Sequence, residues 1–570
     1  MKKTPFHSYL QSEWVQSQLK RLSLEEKIAQ LIHIAAYSNR DESHYQKVLS
    51  LVKTYKIGGL IFFQGHPLKQ AELTNLYQEH SDIPLMISMD AEWGLGMRLD
   101  DTLSFPYQMA LGALQDNRLI YEMGAEIARQ CSRLGMQVNF APVVDINNNP
   151  ANPVIGFRSF GEEKEAVVQK AKAYMQGMQD QGVMASAKHF PGHGDTATDS
   201  HFDLPVIHHN KARLEEVELY PFRALIDEGI GSMMVAHLQI PALDDRENTP
   251  STVSKPIVTG LLKEKMGFEG LAFTDALDMK GIANLYEPGE VDLKAFLAGN
   301  DVLLFSEDVP TAVEKIARAV RAGEVAEEEL DLRCAKNLAA KQWLGLTSHQ
   351  PVVLENLVED LHPQSAIELN QQLADQSVTL LKKQSTGFPM AHLAEERWAS
   401  IAFVCQTETS ASGALQHHTI DKGFQENTES SLVFLQQLLE KQLPGKVSHY
   451  QVFSQDKKNL DIAQLLEQYD RVLVSIHGLK MKALDNFGLS PDFIEKLNRL
   501  AASGKATICW LGNPYALGLI EKSHQAREVL LTYQESSYTQ QAAANWLLGK
   551  LQPQGKLPVT VNQHFVRGQG

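Results

Sequence analysis

Over the first 340 positions, apolar residues come in short continuous runs separated by longer stretches with helical spacing. The runs are "KIAQLIHI" (27–34), "GGLIFF" (58–63), "PLMISMD" (84–90), "QVNFAPVVD" (137–145), "MASAKHF" (184–190), "GSMMVAH" (231–237), "LAFTDA" (271–276) and "NDVLLF" (300–305). Continuous rather than alternating runs fit strands buried on both faces of a parallel sheet, since such strands have no side turned to water. The intervening stretches read as amphipathic helices. One of them, "SLEEKIAQL", opens with a Ser-x-x-Glu capping box at Ser23 and Glu26, which makes the first run partly helix. Eight runs alternating with helices predict an α/β architecture whose N-terminal part is a (β/α)8 TIM-type barrel.

The polar positions support the barrel. Asp90, Asp145, Lys188 with His189, His237 and Asp275 all stand where an apolar run stops. In such barrels the C-terminal strand ends form the working face, while branched apolar side chains fill the interior. Residues 306–370 are helical and charged and pass into the looser "LTSHQPVVLENLVEDLHPQS". From "LADQSVTLLKKQ" a second alternation begins, with runs at "WASIAFVCQ", "KVSHYQVF", "RVLVSIHG", "ATICWLGNP" and "EVLLTYQES". The expected organisation is a barrel over 1–345, a linker over 346–370 and a smaller α/β sandwich domain over 371–570.

Composition narrows the partners. The chain has 570 residues, 43% hydrophobic and 21% charged, as in ordinary globular proteins. A net charge of −16 with no dense Lys/Arg block argues against a nucleic-acid partner. No stretch reaches the roughly 20 apolar residues of a membrane span. The basic start "MKKTPFHSYLQSEWVQSQLKRL" lacks the apolar core of a secretory leader. The expectation is therefore a cytoplasmic protein, or a periplasmic or secreted one if a leader has been removed. The spacing of Cys131, Cys334, Cys405 and Cys509 matches neither a zinc site nor a disulfide framework.

Four stretches carry candidate chemistry. "AKHFPGHGDTATDSHFDL" (187–204) closes a strand with Lys188 and His189 and then turns through Pro191, Gly192 and Gly194. Asp199 stands two residues before His201, close enough to hold one imidazole nitrogen and leave the other to shuttle a proton. Two other readings of this stretch stay open: a polar loop that satisfies its own backbone, and a metal cage of His189, His193 and His201. In "LAFTDALDMKGIA", Asp275 ends a strand and could attack an electrophilic carbon or cap the next helix; Asp278 reads as a cap. In "MDAEWGLGMRLD" and "NPVIGFRSFGEE", Asp90, Arg98 and Arg158 could grip sugar hydroxyls or form loop salt bridges.

Taken together and in order, "FAPVVDINNNP", "FRSFGE", "KHFPGHGDTATDSH" and "FTDALDMKG" resemble glycoside hydrolase family 3, in its β-N-acetylglucosaminidase branch. The likeness covers about residues 20–340, with a weaker match at "LGNPYAL" and "GKLPVTV". It implies a retaining, exo-acting β-N-acetylglucosaminidase with Asp275 as nucleophile and His201 as acid/base, assisted by Asp199. It further implies sugar binding by Asp90, Arg98, Arg158, Lys188 and His189, no cofactor or metal, and peptidoglycan fragments as substrates. Alternatives are a family 3 phosphorylase, or a β-glycosidase for another sugar. Where the branch usually reads Asp-x-Glu-Gly-Gly-Arg, this chain has "DAEWGLGMR": Trp93 and Leu95 replace a glycine and an arginine, while Glu92, Gly94 and Arg98 keep their places.

Overall fold

The capping box at Ser23 forms as read. Ser23 Oγ accepts from the Glu26 amide at 3.2 Å and Glu26 Oε2 accepts from the Ser23 amide at 2.9 Å. The helix Leu24–Ala29 that it starts takes up residues 27–29 of the first apolar run, so strand β1 begins only at Ile32 and ends at Ala36. In this computed structural model, which describes residues 2–196, 204–383, 388–390, 395–405, 433–454 and 460–570, the chain divides into two units. The first comprises 1–104, 120–146 and 167–363; the second comprises 105–119, 147–166 and 364–570.

The first unit is the expected barrel. After β1 come β2 (Gly59–Phe62), β3 (Met86–Met89), β4 (Val138–Asn139), β5 (Met184–Phe190), β6 (Ser232–Val235), β7 (Leu271–Thr274) and β8 (Leu303–Leu304). They lie in the order β7-β6-β5-β4-β3-β2-β1-β8, every pair parallel, and a parallel bridge between Phe273 and Val302 brings the two ends together. Side chains from these strands, among them Ile61, Met86, Phe140, Met184 and Phe273, meet in one buried cluster. Two strands are shorter than their apolar runs. β4 stops at Asn139 because Pro142 has no N–H to give the ladder; pairing with β5 resumes at Val143, opposite Lys188. β8 keeps only the centre of its run, the two residues paired with β1 at Ile32 and His33.

The second unit holds a six-stranded sheet built from β9 (Thr379–Lys383), β10 (Trp398–Val404), β11 (Val447–Phe453), β12 (Arg471–His477), β13 (Ala506–Trp510) and β14 (Glu528–Leu531). Its order is β11-β10-β12-β13-β14-β9, parallel throughout except for β9, which runs antiparallel against β14 at the edge. Alternate residues of one strand serve opposite faces. Ile401, Val474 and Ile508 pack into one cluster with Phe493 and Leu497; Trp398, Leu473 and Cys509 pack into another with Leu439 and Trp546. This two-faced burial is why the runs read as continuously apolar. Two segments inside 1–345, residues 105–119 and 147–166, group with this second unit; Met109, Ala110 and Ala113 lie in its first cluster.

Among the described residues no helix is long and apolar enough to cross a membrane.

Candidate active site

Asp90, one residue past β3, is the hub of the polar cluster at the barrel's C-terminal strand ends. Lys188 Nζ, projecting from β5, donates to Asp90 Oδ1 at 2.7 Å, and Arg98 Nη2 donates to Oδ2 at 2.7 Å. Lys188 also lies 2.7 Å from Glu92 Oε1, and its side chain is only 2% exposed. Burial pushes the Asp90 carboxyl up, but the two cations outweigh burial and hold it well below the usual carboxylate range. The cluster is a chain of alternating charges, Arg98–Asp90–Lys188–Glu92, with both cations paired.

The backbone under this chain is pinned by side chains. Asn139, the last residue of β4, accepts from the Ala91 amide at 2.9 Å and donates to the Ala91 carbonyl at 3.0 Å. The Tyr174 hydroxyl donates toward the Glu92 carbonyl at 3.1 Å. Arg98 follows a 3-10 turn, Leu95–Met97, entered through Gly94 at φ +89°, a value that favours glycine. Its guanidinium lies over the Phe63 ring, 3.8 Å from the centroid. Leu95, which stands where the branch has an arginine, is fully buried, and Trp93 is half-buried.

A second cluster forms around Asp145, past β4. Its Oδ2 accepts from His189 Nδ1 at 2.8 Å, which leaves Nε2 as that ring's other face. Its Oδ1 accepts from the His193 amide at 2.7 Å. Burial raises the Asp145 carboxyl, yet the two histidines bring it below its ordinary value. His193 is itself buried, with Nδ1 2.8 Å from Thr196 Oγ1; burial and the neighbouring His189 push it down to about 4. The turn closes only with glycine at 194, where a Cβ would lie 1.8 Å from the Ile146 carbonyl oxygen.

Asp275 follows β7 directly. Its amide donates to Val235 of β6 at 2.9 Å, and its Oδ1 accepts from the Ala276 amide at 2.9 Å. It is half-buried. Asp278 does not cap the next helix: the N-cap of Lys280–Ala283 is Met279, with no side-chain cap bond.

The structure therefore joins Asp90, Arg98 and Lys188 directly, places His189 beside Lys188 on Asp145, and sets Asp275 at the end of β7. Asp199 and His201 lie outside the described residues. Arg158 belongs to the second unit, half-buried at the end of the turn Gly156–Arg158, with Nη1 3.3 Å from the Val154 carbonyl. Three partners were not among the expected catalytic or sugar-binding residues: Glu92, Asp145 and His193, the last read only as a candidate metal ligand. Asp145 carried a signal, its place at a run's end; the pairing of Glu92 with Lys188 had none, because it crosses between strands 96 residues apart (188 − 92).

Among the described residues two groups offer metal-type ligands, and His201, the third member of the expected cage, lies outside them. In the first, His189 and His193 turn Nδ1 to Asp145 and Thr196. In the second, Asp195, His209 and Glu218 bring three ligand atoms within 4.8 Å of one another. There His209 donates to Asp195 at 2.6 Å, and Arg213 Nη1 lies 2.6 Å from both oxygens of Glu218.

An eight-stranded parallel barrel thus carries paired carboxylates and cations at its C-terminal strand ends, and the chain also holds a six-stranded mixed sheet. The model of the glycosyl hydrolase family 3 N-terminal domain matches residues 23–339, and the chain belongs to this family. It is similar to β-hexosaminidase A of Pseudoalteromonas piscicida, 33% identical over 330 residues, or 52% of this chain and 55% of the relative. It is likewise similar to β-hexosaminidase LpqI of Mycobacterium tuberculosis, 33% identical over 54% of this chain and 80% of the relative. This chain thus spans little more than half the length of the first relative. Among solved structures, a family 3 β-N-acetylglucosaminidase from Paenibacillus sp. FPU-7 superposes with a TM-score of 0.77 at 29% identity, covering 95% of this chain and 99% of that one. A β-glucoside phosphorylase, BglX, superposes at 0.79 with 22% identity over 97% of both chains, a likeness of fold.

Proposed function

We propose that this glycoside hydrolase is a retaining, exo-acting β-N-acetylglucosaminidase that removes terminal β-linked N-acetylglucosamine, with peptidoglycan fragments as its natural substrates. Asp275 attacks the anomeric carbon and forms a covalent glycosyl intermediate. His201, assisted by Asp199, gives a proton to the departing oxygen and takes one from the water that releases the sugar. Asp90, Arg98, Arg158, Lys188 and His189 hold the sugar hydroxyls. The observation that carries this reading is a strand-end carboxylate, Asp275, on the barrel face where Lys188 and Arg98 orient Asp90. The sugar assignment is supported by the printed names of the similar proteins. The four cysteines are unpaired and buried, which fits the cytoplasm.

Phosphorolysis, the alternative, needs cationic or amide donors for a phosphate dianion. Lys188 and Arg98 are already committed to carboxylates, and a dianion brought to them would face Asp90 and Glu92. The pairing favours water as the acceptor.

The test is turnover of aryl N-acetyl-β-glucosaminide and aryl β-glucoside, each with and without millimolar phosphate, followed by phosphorus NMR. Free N-acetylglucosamine as the main product, with the glucoside cleaved far more slowly, is the expected result. A dominant sugar 1-phosphate signal would make the protein a phosphorylase. Equal or reversed rates on the two glycosides would reject the sugar assignment.

A further inference from the structure

His237, two residues past β6, is fully buried and both of its ring nitrogens are engaged. Nε2 lies 2.8 Å from the Ala276 carbonyl oxygen, and Nδ1 lies 2.6 Å from Thr252 Oγ1. A carbonyl can only accept, so Nε2 carries the hydrogen. Thr252 could give its own hydrogen to Nδ1 or to the Ala236 carbonyl, 2.8 Å away. That carbonyl, which has two lone pairs, also accepts from Ser251 Oγ at 2.6 Å. Thr252 Oγ1 thus holds the Nδ1 edge of the ring while Nε2 donates to the Ala276 carbonyl.

The peptide that His237 grips is the one following the nucleophile. Its carbonyl, Ala276 O, is held by His237 from the β6 side; its N–H, on Leu277, donates to the Leu304 carbonyl of β8 at 3.0 Å. Ala276 is thereby clamped across the end of β7, and its own amide donates to Asp275 Oδ1 at 2.9 Å. On the other side the Asp275 amide is tied to Val235 O at 2.9 Å. We infer that His237, set by Thr252, is a positioning residue for the Asp275 carboxylate: it fixes the 276–277 peptide so that the Ala276 N–H orients Oδ1 for attack. It exchanges no proton with substrate. The inference rests on the reading of Asp275 as nucleophile.

The experiment measures the rate at which a fluorinated glycosyl trap labels the full-length protein, with mass spectrometry locating the label. A labelling rate constant does not depend on what fraction of a preparation is active, so a merely structural loss of folded protein does not move it. His237→Leu removes the Nε2 donor and is expected to slow labelling about tenfold to a hundredfold, the scale of a misplaced reacting group. His237→Gln, whose side-chain amide can still donate to Ala276 O, should return labelling to within about threefold of the wild-type rate on the same scale. The inference is overturned if folded His237→Leu labels as fast as wild type, or if His237→Gln is as slow as His237→Leu. Should His237→Leu fail to fold, Thr252→Val decides: slower labelling supports the inference and an unchanged rate overturns it. Label found on a carboxylate other than Asp275 in the wild-type protein would instead remove the nucleophile reading on which the inference stands.

Discussion

Two buried charge groups, one beside each sheet, lie at opposite ends of their strands. In the barrel the chain Arg98–Asp90–Lys188–Glu92 sits at the C-terminal ends of β3 and β5, with Lys188 among the last residues of β5 and the others past β3. In the second sheet, Arg471 opens β12 and Glu528 opens β14; they pair at 3.0 Å, and Thr507 donates to the same Glu528 oxygen at 2.5 Å. Arg471 also lies over the Trp398 ring, 4.6 Å from its centroid. The second group is extended by Glu396, 3.6 Å from Arg471 Nη1, and by Arg527, 3.7 Å from Glu528. The first lies at the strand ends that also carry Asp275, past β7, and His189, held by Asp145. Burying an ion pair is weak evidence for stability and none for function; the strand end at which it lies distinguishes the two.

The largest effect should come from the residue with no part in either ion-pair group. Asp275→Ala is expected to lower kcat by at least about 10⁴-fold, the scale of removing a nucleophile, while thermal unfolding stays close to wild type. Steady-state rates on an aryl N-acetyl-β-glucosaminide and a melting curve check both halves; substantial residual turnover would move the nucleophile elsewhere.

Next come paired substitutions that set the two ion-pair groups against each other. Lys188→Met leaves Asp90 and Glu92 facing each other without their cation, and Glu528→Ala leaves Arg471 buried without its carboxylate. Each should destabilise its unit by about 3–5 kcal/mol. Only Lys188→Met should also abolish turnover; Glu528→Ala, assayed below its unfolding transition, should keep kcat and KM. If Glu528→Ala changes either constant in folded protein, the contrast between the strand ends fails.

The smallest effect is a pH dependence of stability to which the barrel mouth contributes. Burial, reinforced by His189, takes His193 from 6.5 down to about 4. Between those values the unfolded chain binds more protons than the folded one, so stability falls as pH drops from 6.5 toward 4, by at most about 3 kcal/mol. Asp90 and Asp145 act in a lower window: their folded carboxyls are held below 3.8, so their contribution is lost only as pH falls from there. Urea midpoints across the upper window should slope less in His193→Gln than in wild type; identical slopes would assign the effect to another group.

The apolar runs show how much of this was legible beforehand. A parallel strand covered on both faces must be apolar throughout, so "GGLIFF", "PLMISMD" and "MASAKHF" announce β2, β3 and β5 with little error. The same logic exposes Asp90 and Asp275, which follow β3 and β7 directly, and Lys188 and His189, which stand in the last residues of β5. The run at 137–145 misleads since apolar character persists beyond Asn139, while the ladder needs N–H groups that Pro142 cannot supply. β9 gives no sign of its antiparallel edge position, because direction is a property of the pair.

What the sequence by itself determined is therefore local: where each strand runs, where the Ser23 box starts a helix, and which chemical groups stand at the strand ends. The tertiary structure alone decided who meets whom. That Lys188 is shared by Asp90 and Glu92, that Asp145 orients His189 and His193, and that His237 of one strand end grips the peptide after Asp275 all depend on which strands are neighbours and in what register. Periodicity reports the faces of a single segment, whereas these pairings are set by barrel closure, which brings together residues that no local pattern connects.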